Sequence, residues 1–209
     1  YFDGQIKQVC VMLLPVFFFF SMDQINLIIN SSLCTYLGVG NVSNYSYALR
    51  FQNTFISTIS LAIITVIYPI LSELFYKQNS GEYREMLTTG TRVIIYVCVP
   101  LTFFLSVNAH SLIKMIFGRG NFEEKDVIIT AAVFSVLIVS LVFLSIRDLL
   151  IRAFYIQKDT VAPLISSIIF GVVNLVLGFI FIKIISIKGL AISYVVASFL
   201  SIAYLLLKL

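Results

Sequence analysis

The sequence has no tryptophan, one histidine and three cysteines among its 209 residues, and only 11% of its residues are charged. The single histidine, His110, excludes any site built from several histidines. Cys10, Cys34 and Cys98 lack the short spacings of metal and redox sites, so buried free thiols are expected. No nucleophile elbow, phosphate loop or zinc-protease motif is present. The sequence therefore predicts no enzyme activity, no metal site and no bound cofactor.

The shortage of charge also excludes an ordinary soluble domain, in which about 25% of residues are charged. Hydrophobic residues make up 60% of the chain, more than a domain of this size can bury away from water. The 14 basic and 10 acidic residues are spread along the chain without a basic run of the kind that binds nucleic acid. These proportions predict an integral membrane protein whose surroundings are membrane lipids.

Six segments are long and apolar enough for spanning helices, which need about 20 such residues. They lack the alternation of a membrane β-barrel, and they cover roughly residues 9–32, 43–75, 92–109, 127–156, 161–183 and 188–208. The sequence predicts an all-α, polytopic transmembrane bundle that forms one lobe over residues 1–209. Because the chain starts without Met and ends in an apolar run, we expect a segment of a longer protein.

The orientation of the bundle is predicted from Lys and Arg near the ends of the spans. One side collects eight of them and the other five. The bias places residue 1 and the 152–160 loop in the cytoplasm. The 76–92 segment is predicted to be an interfacial cytoplasmic loop with an amphipathic helical part that leads into the third span.

Arg50 is the only charged residue between Gln24 and Ser72. A charge at mid-membrane costs roughly 2.5–3.5 kcal/mol on insertion scales. One interpretation is that its side chain reaches the interface or forms a structural pair. The other is that it faces a hydrated cavity and binds an anion there.

Asp23, Asn26 and Asn30 follow helical spacing in the first span and share one face. Such a polar stripe either joins helices or lines a path. Asp23 is the natural countercharge for Arg50, or a proton or cation site. In the fifth span, Asn174 stands between two glycines, a pattern that favours close helix packing.

Asp148 and Arg152 have the i,i+4 spacing of an ion pair at the end of the fourth span, and Arg147 adds a further charge. The prediction for this group is a solvated cytoplasmic helix end.

Three stretches carry a resemblance to a known family: "QINLIINSSLCTYLGVGNVSNYSYALRF" at 24–51, "MIFGRGNFEEKDV" at 115–127 and "IRDLLIRAFYIQKDTVAP" at 146–163. In this order and spacing they resemble the MurJ (MviN) family of lipid II flippases, within the multidrug/oligosaccharidyl-lipid/polysaccharide exporter superfamily. The resemblance implies that the six spans correspond to the seventh to twelfth of fourteen helices. The N-terminal lobe of the same chain would then be missing here.

The resemblance implies a transporter of the bacterial cytoplasmic (inner) membrane, acting in peptidoglycan synthesis and so in cell-wall biogenesis and cell shape. Its partner would be an undecaprenyl-diphosphate-linked precursor, moved from the inner to the outer leaflet by alternating access. Arg50 matches the arginine of the family's Tyr-Ala-Asp-Arg pattern, and the implied cationic cavity binds the diphosphate. Asp23, Asn26 and Asn30 are further candidate substrate-binding residues. Coupling to an ion gradient or to the membrane potential is expected.

Two departures from the family pattern matter. Leu49 replaces the acid that precedes the arginine, and Asn30 stands where relatives carry an acid. Asn30 and Asn174 are therefore only a candidate remnant of a cation site. Other motif matches are interpreted as structural anchors at the membrane surface: Arg119, Arg152 and Asp159.

Other functions remain open at this point. An exporter of another lipid-linked polysaccharide precursor would share these features. A small-molecule antiporter of the same superfamily should depend more on acidic residues. A non-transporting membrane scaffold is the remaining alternative.

Overall fold

The computed structural model describes the backbone of residues 2–38, 40–120 and 122–209, and the side chains of residues 13–22, 24–38, 40–120 and 122–209. Within these ranges the chain is helical and contains no strand. The helices are α1 (Phe2–Thr35), α2 (Asn41–Tyr76), α3 (Ser80–Val107), α4 (Ala109–Phe117), α5 (Glu124–Leu137), α6 (Ser140–Ile156), α7 (Val161–Ile185) and α8 (Ile187–Lys208).

Five of these helices are long and apolar enough to cross a membrane, and α5 with α6 forms a sixth candidate span. The prediction of an all-α polytopic bundle is confirmed. The segment at 76–92 is mostly helix, because α3 begins at Ser80 and continues through the third span. The Asn79 side chain accepts a hydrogen bond from the Glu82 backbone N–H at 3.3 Å, which caps this helix.

The fourth predicted span is bent by 47° at residues 138–139, between α5 and α6. A break in a helix leaves backbone groups that need new partners. Gln52 of α2 supplies one, because its amide Nε2 donates to the Leu137 carbonyl oxygen at 2.9 Å. The same amide group donates to the Ser140 hydroxyl. The bend is therefore held from the neighbouring helix.

Helix α6 lies at the centre of the lobe, with Leu149 and Ala153 fully buried. Helices α2, α3 and α8 pack around α6, while α7 forms a hairpin with α8 and carries α1 on its other side. Close approach at this last interface depends on Gly171, where an added Cβ would lie 2.9 Å from Nδ2 of Asn26. This is the close packing predicted for the fifth span.

The start of α2 is set by a tight turn. Gly40 has φ of 92°, a left-handed conformation that glycine adopts without steric cost. One turn into the helix, Asn44 Nδ2 donates to Asp126 Oδ1 at 3.1 Å and ties α2 to the start of α5. These contacts determine which face of α2 is turned inward.

Candidate functional site

One face of α2 is exposed along several turns; it is polar from Arg50 to Thr58, and Leu61 interrupts it before Thr65. Its six polar residues recur at helical spacing and all have exposed side chains: Arg50, Asn53, Thr54, Ser57, Thr58 and Thr65. We call these six residues the α2 polar face. The opposite side of the helix packs on α5 and α6 through buried residues that include Tyr45, Ala48 and Ile56. The span is therefore amphipathic in the sense expected for a helix beside a hydrated cavity.

Arg50 lies on this face about two turns into the helix. Among the described residues, its guanidinium makes no hydrogen bond or ion pair. Leu49, which replaces the family's acid, is 5% exposed and packs in the core. The charge of Arg50 is therefore available to an anion outside this lobe.

A cavity of about 360 Å³ lies between α1, α2 and α6 and adjoins the α2 polar face. Ser57 and Ser60 line it from α2, and Arg147, Asp148 and Arg152 line it from α6. We call it the α1–α2–α6 cavity. Among the described residues that line it, two are arginines and one is an aspartate. Arg152, interpreted from the sequence as a structural anchor, is thus part of a cavity wall.

Arg147 corrects a prediction. The sequence placed it at a solvated helix end, but its side chain is only 5% exposed. Its guanidinium carbon lies 5.4 Å from the ring centroid of Phe19 and 5.3 Å from that of Phe170. The prediction was wrong because α1 and α7 fold their aromatic rings over this part of α6, and sequence periodicity does not show such long-range contacts.

The amide stripe of α1 faces a different direction from Arg50. Asn26 is 4% and Asn30 1% exposed. Asn174 Nδ2 donates to Asn26 Oδ1 at 3.4 Å, and the Ser193 hydroxyl donates to Asn174 Oδ1 at 3.0 Å. The structure therefore joins Asn26 to Asn174 and, among the described residues, joins neither of them to Arg50. The side chain of Asp23 lies outside the described residues.

The candidate cation site at Asn30 and Asn174 consists of neutral groups in the described part of the chain. Oδ1 of Asn30 is buried and has no hydrogen-bond partner there. The described residues also contain no cluster of three or more His, Cys, Asp or Glu that could hold a metal ion.

The remaining motif residues lie at helix ends. Asp159 Oδ1 accepts from the backbone N–H groups of Val161 and Ala162 at 2.9 and 3.0 Å, which caps α7. Arg119 is exposed in the turn before α5. Sequence reasoning missed the hydroxyl and amide residues around Arg50. Their three- and four-residue spacing was the signal that could have identified them.

The comparisons with known proteins agree with this architecture. The family model described as "Lipid II flippase MurJ" matches residues 1–209. The chain is 30% identical over 205 residues to a probable lipid II flippase MurJ of Vibrio cholerae, covering 97% of this chain and 39% of the relative. It is 28% identical over 204 residues to the lipid II flippase MurJ of Burkholderia cenocepacia, covering 98% and 40%. The chain thus spans about two fifths of the length of the curated relatives it matches.

Solved transporters share the fold. A structure described as lipid II flippase MurJ in an inward closed conformation aligns with a TM-score of 0.84 at 23% identity, covering 93% of this chain and 41% of that one. The Vibrio cholerae MATE transporter VcmN in its bent form aligns with a TM-score of 0.84 at 17% identity, covering 99% and 46%. These similarities show that the chain has the fold of the matching part of these structures, which is less than half of each.

Proposed function

The chain belongs to the lipid II flippase MurJ family, and on that premise we propose that the protein moves a lipid-linked peptidoglycan precursor across the bacterial inner membrane. The single observation that carries the proposal is the exposed charge of Arg50, which has no ion-pair partner among the described residues and lies on the polar face of a spanning helix. The substrate group that this charge would bind is the diphosphate.

The α2 polar face supports a hydrated cavity rather than a lipid contact. Acyl chains offer no partner for amides or hydroxyls, and polar groups in spans usually face an interior or water. The hydroxyls of Thr54 and Thr58 each donate one hydrogen bond to a backbone carbonyl oxygen of their own helix, at 3.0 and 2.7 Å. Such local bonds lower the cost of placing hydroxyls in the span but leave oxygen lone pairs for water or substrate.

Arginine suits a diphosphate better than lysine would. Its guanidinium keeps its charge at any physiological pH and offers a planar fork of donors that matches phosphate oxygens. In a cavity of lower dielectric than bulk water, that attraction is stronger. Arg50 would hold the head group, while the prenyl chain stays among the lipids.

Transport would proceed by alternating access. This lobe and the lobe supplied by the rest of the protein would rock around the cavity, with residue 1 on the cytoplasmic side. An ion gradient or the membrane potential would drive the cycle. A cation site at Asn30 and Asn174 would use neutral amide oxygens from these two residues, and Asp23 on the same face of α1 would be its candidate carboxylate.

The test is the accessibility of position 50 in a cysteine-free, full-length protein. Arg50→Cys in spheroplasts should react with a membrane-impermeant thiol reagent, and added lipid II should protect it. Tyr36→Cys, in the turn before α2 and 85% exposed, should react with or without lipid II. Asn26→Cys should not react, because that position is buried. Reaction at position 50 that lipid II leaves unchanged, or no reaction there, would contradict the proposed site.

A further inference from the structure

Arg147 is a buried cation whose hydrogen-bonding capacity is only partly used. Its Nε and Nη2 atoms are buried and have no hydrogen-bond partner among the described residues. The rings of Phe19 and Phe170 lie near the guanidinium, and they attract its positive charge through their π faces. Ring faces do not accept the in-plane N–H bonds of a guanidinium as an oxygen does. Two donors of Arg147 therefore have no acceptor among the described residues.

Donors of this kind are costly to bury, and native structures rarely leave them unsatisfied without a reason. The α1–α2–α6 cavity supplies the place for an acceptor, because Arg147 lines it together with the exposed Arg152. Its volume of about 360 Å³ is at the small end of ligand pockets. The hydroxyl of Ser60, on the opposite wall, is also buried without a partner in the described structure. Arg147, Arg152 and Ser60 thus line one space. The Asp148 carboxylate and the Ser57 hydroxyl line it as well.

The cavity and Arg50 lie along the same face of α2. Ser57 lines the cavity and follows Arg50 by seven residues, which corresponds to two helical turns and about 10 Å along the axis. With residue 1 in the cytoplasm, Arg50 lies in the outer part of the span and the cavity lies deeper toward the cytoplasm. The positive charges are therefore arranged at two depths along one polar face.

We propose that the α1–α2–α6 cavity is a second binding station for a phosphate-class anion, the diphosphate of the lipid-linked substrate. The N–H groups of Arg147 and the guanidinium of Arg152 bind phosphate oxygens there, and the Ser60 hydroxyl donates a further bond. The head group occupies this inner station first and Arg50 afterwards. The assignment rests on the proposed function for its substrate, but it concerns residues that the family comparison does not assign.

The first test measures binding of undecaprenyl diphosphate to the full-length protein in detergent, with undecaprenol as the uncharged control. Losing a hydrogen bond to a charged group corresponds to about tenfold to hundredfold weaker binding. Arg147→Gln should show a loss of this size, and Arg147→Lys a smaller one because the charge remains. Arg50→Gln alone should leave measurable binding, which the double variant Arg50→Gln/Arg147→Gln should remove.

Ser60→Leu tests the cavity without changing Arg147. The leucine side chain fills the space from α2 and removes no hydrogen bond recorded for the described residues. It should weaken binding of the diphosphate lipid to a similar extent, while the thermal stability of the protein is retained. This variant keeps the inference testable if Arg147→Gln fails to fold.

A labelling experiment separates the two stations. Ser57→Cys and Thr58→Cys are adjacent, exposed positions that both replace a hydroxyl, but only Ser57 lines the cavity. Undecaprenyl diphosphate should protect position 57 more than position 58 from a thiol reagent. That difference should persist in the Arg50→Gln background and disappear in the Arg147→Gln background.

The outcomes distinguish this inference from the proposed function. Wild-type protein that binds no diphosphate lipid would overturn both. Normal binding by both Arg147→Gln and Ser60→Leu, with all binding lost in Arg50→Gln, would overturn only the second station. Equal competition by phosphatidylglycerol would assign the cavity to a resident phospholipid, and equal competition by inorganic pyrophosphate would assign it to a free anion. Either result would overturn the substrate assignment.

Discussion

Two neighbouring helices carry polar stripes of similar composition, yet the bundle uses them in opposite ways. In α1, Asn26 and Asn30 are buried, and Asn26 meets Asn174 at the contact with α7. In α2, Arg50 and the other residues of the α2 polar face remain exposed. The first stripe joins helices, and the second is available to a ligand.

The difference lies in what packs opposite each stripe. Helix α7 presents Gly171 to α1, which lets the backbones approach until the amides reach each other. Helix α2 turns its other side toward α5 and α6, and the residues of the α2 polar face stay exposed. A polar residue in a span therefore reveals its role only when its neighbour is known.

The largest expected effect is on the exposed stripe. Arg50→Gln in the full-length protein should abolish complementation of a flippase-depleted strain, because the diphosphate loses a charged, bidentate partner. Binding of lipid II should weaken about tenfold to hundredfold. Arg84→Gln, an exposed arginine near the start of α3, serves as the matched control and should complement. Full complementation by Arg50→Gln at normal expression would show that the exposed stripe of α2 does not need Arg50 to bind the substrate.

A change at the buried stripe should act on stability instead. Gly171→Leu forces a side chain against Asn26, where even a Cβ atom would be within 2.9 Å of Nδ2. Overpacking of this kind costs typically about 1–3 kcal/mol. Val172→Leu, at a neighbouring position that is 56% exposed, should have little effect. Thermal unfolding in detergent measures both, and an unchanged melting temperature for Gly171→Leu would show that α1 and α7 are not closely packed.

The hydrogen bonds within the buried cluster should contribute less. Asn174 accepts from Ser193 at 3.0 Å, both side chains being fully buried. Couplings of this type between membrane helices average about 0.6 kcal/mol and reach about 1.7. A double-mutant cycle of Asn174→Ala and Ser193→Ala should give a coupling in that range. Strict additivity of the two single variants would mean that the amides do not hold the helices together.

The smallest effect is expected for Thr58→Val on the exposed stripe. The Thr58 hydroxyl bonds only to the Thr54 carbonyl of its own helix, so no interhelical contact is lost. Stability should change by less than about 0.5 kcal/mol, as for most exposed positions. Asn53→Leu offers a second exposed position for the same comparison. A loss of several degrees in melting temperature for both would place the α2 polar face in an interface instead of a cavity.

Some of the site could be predicted from residues alone. Arg50 was found because a lone charge in a long apolar segment is rare and costly. The spacing of Asn26 and Asn30 predicts a polar stripe on α1, but it does not distinguish a stripe that joins helices from one that lines a path. Arg147 was misplaced, since its position near a helix end favours solvent until Phe19 and Phe170 are brought over it from distant parts of the chain.

Composition and hydropathy along the chain predict a membrane bundle of about six spans, because a bilayer demands long apolar helices and these leave a strong local signal. The same pattern locates Arg50 as a charge inside the second span. Which polar groups meet a partner among the described residues, and that Gln52 holds the bend between α5 and α6, become visible in the folded bundle. Those outcomes depend on packing between residues far apart in the chain, which helical periodicity does not encode.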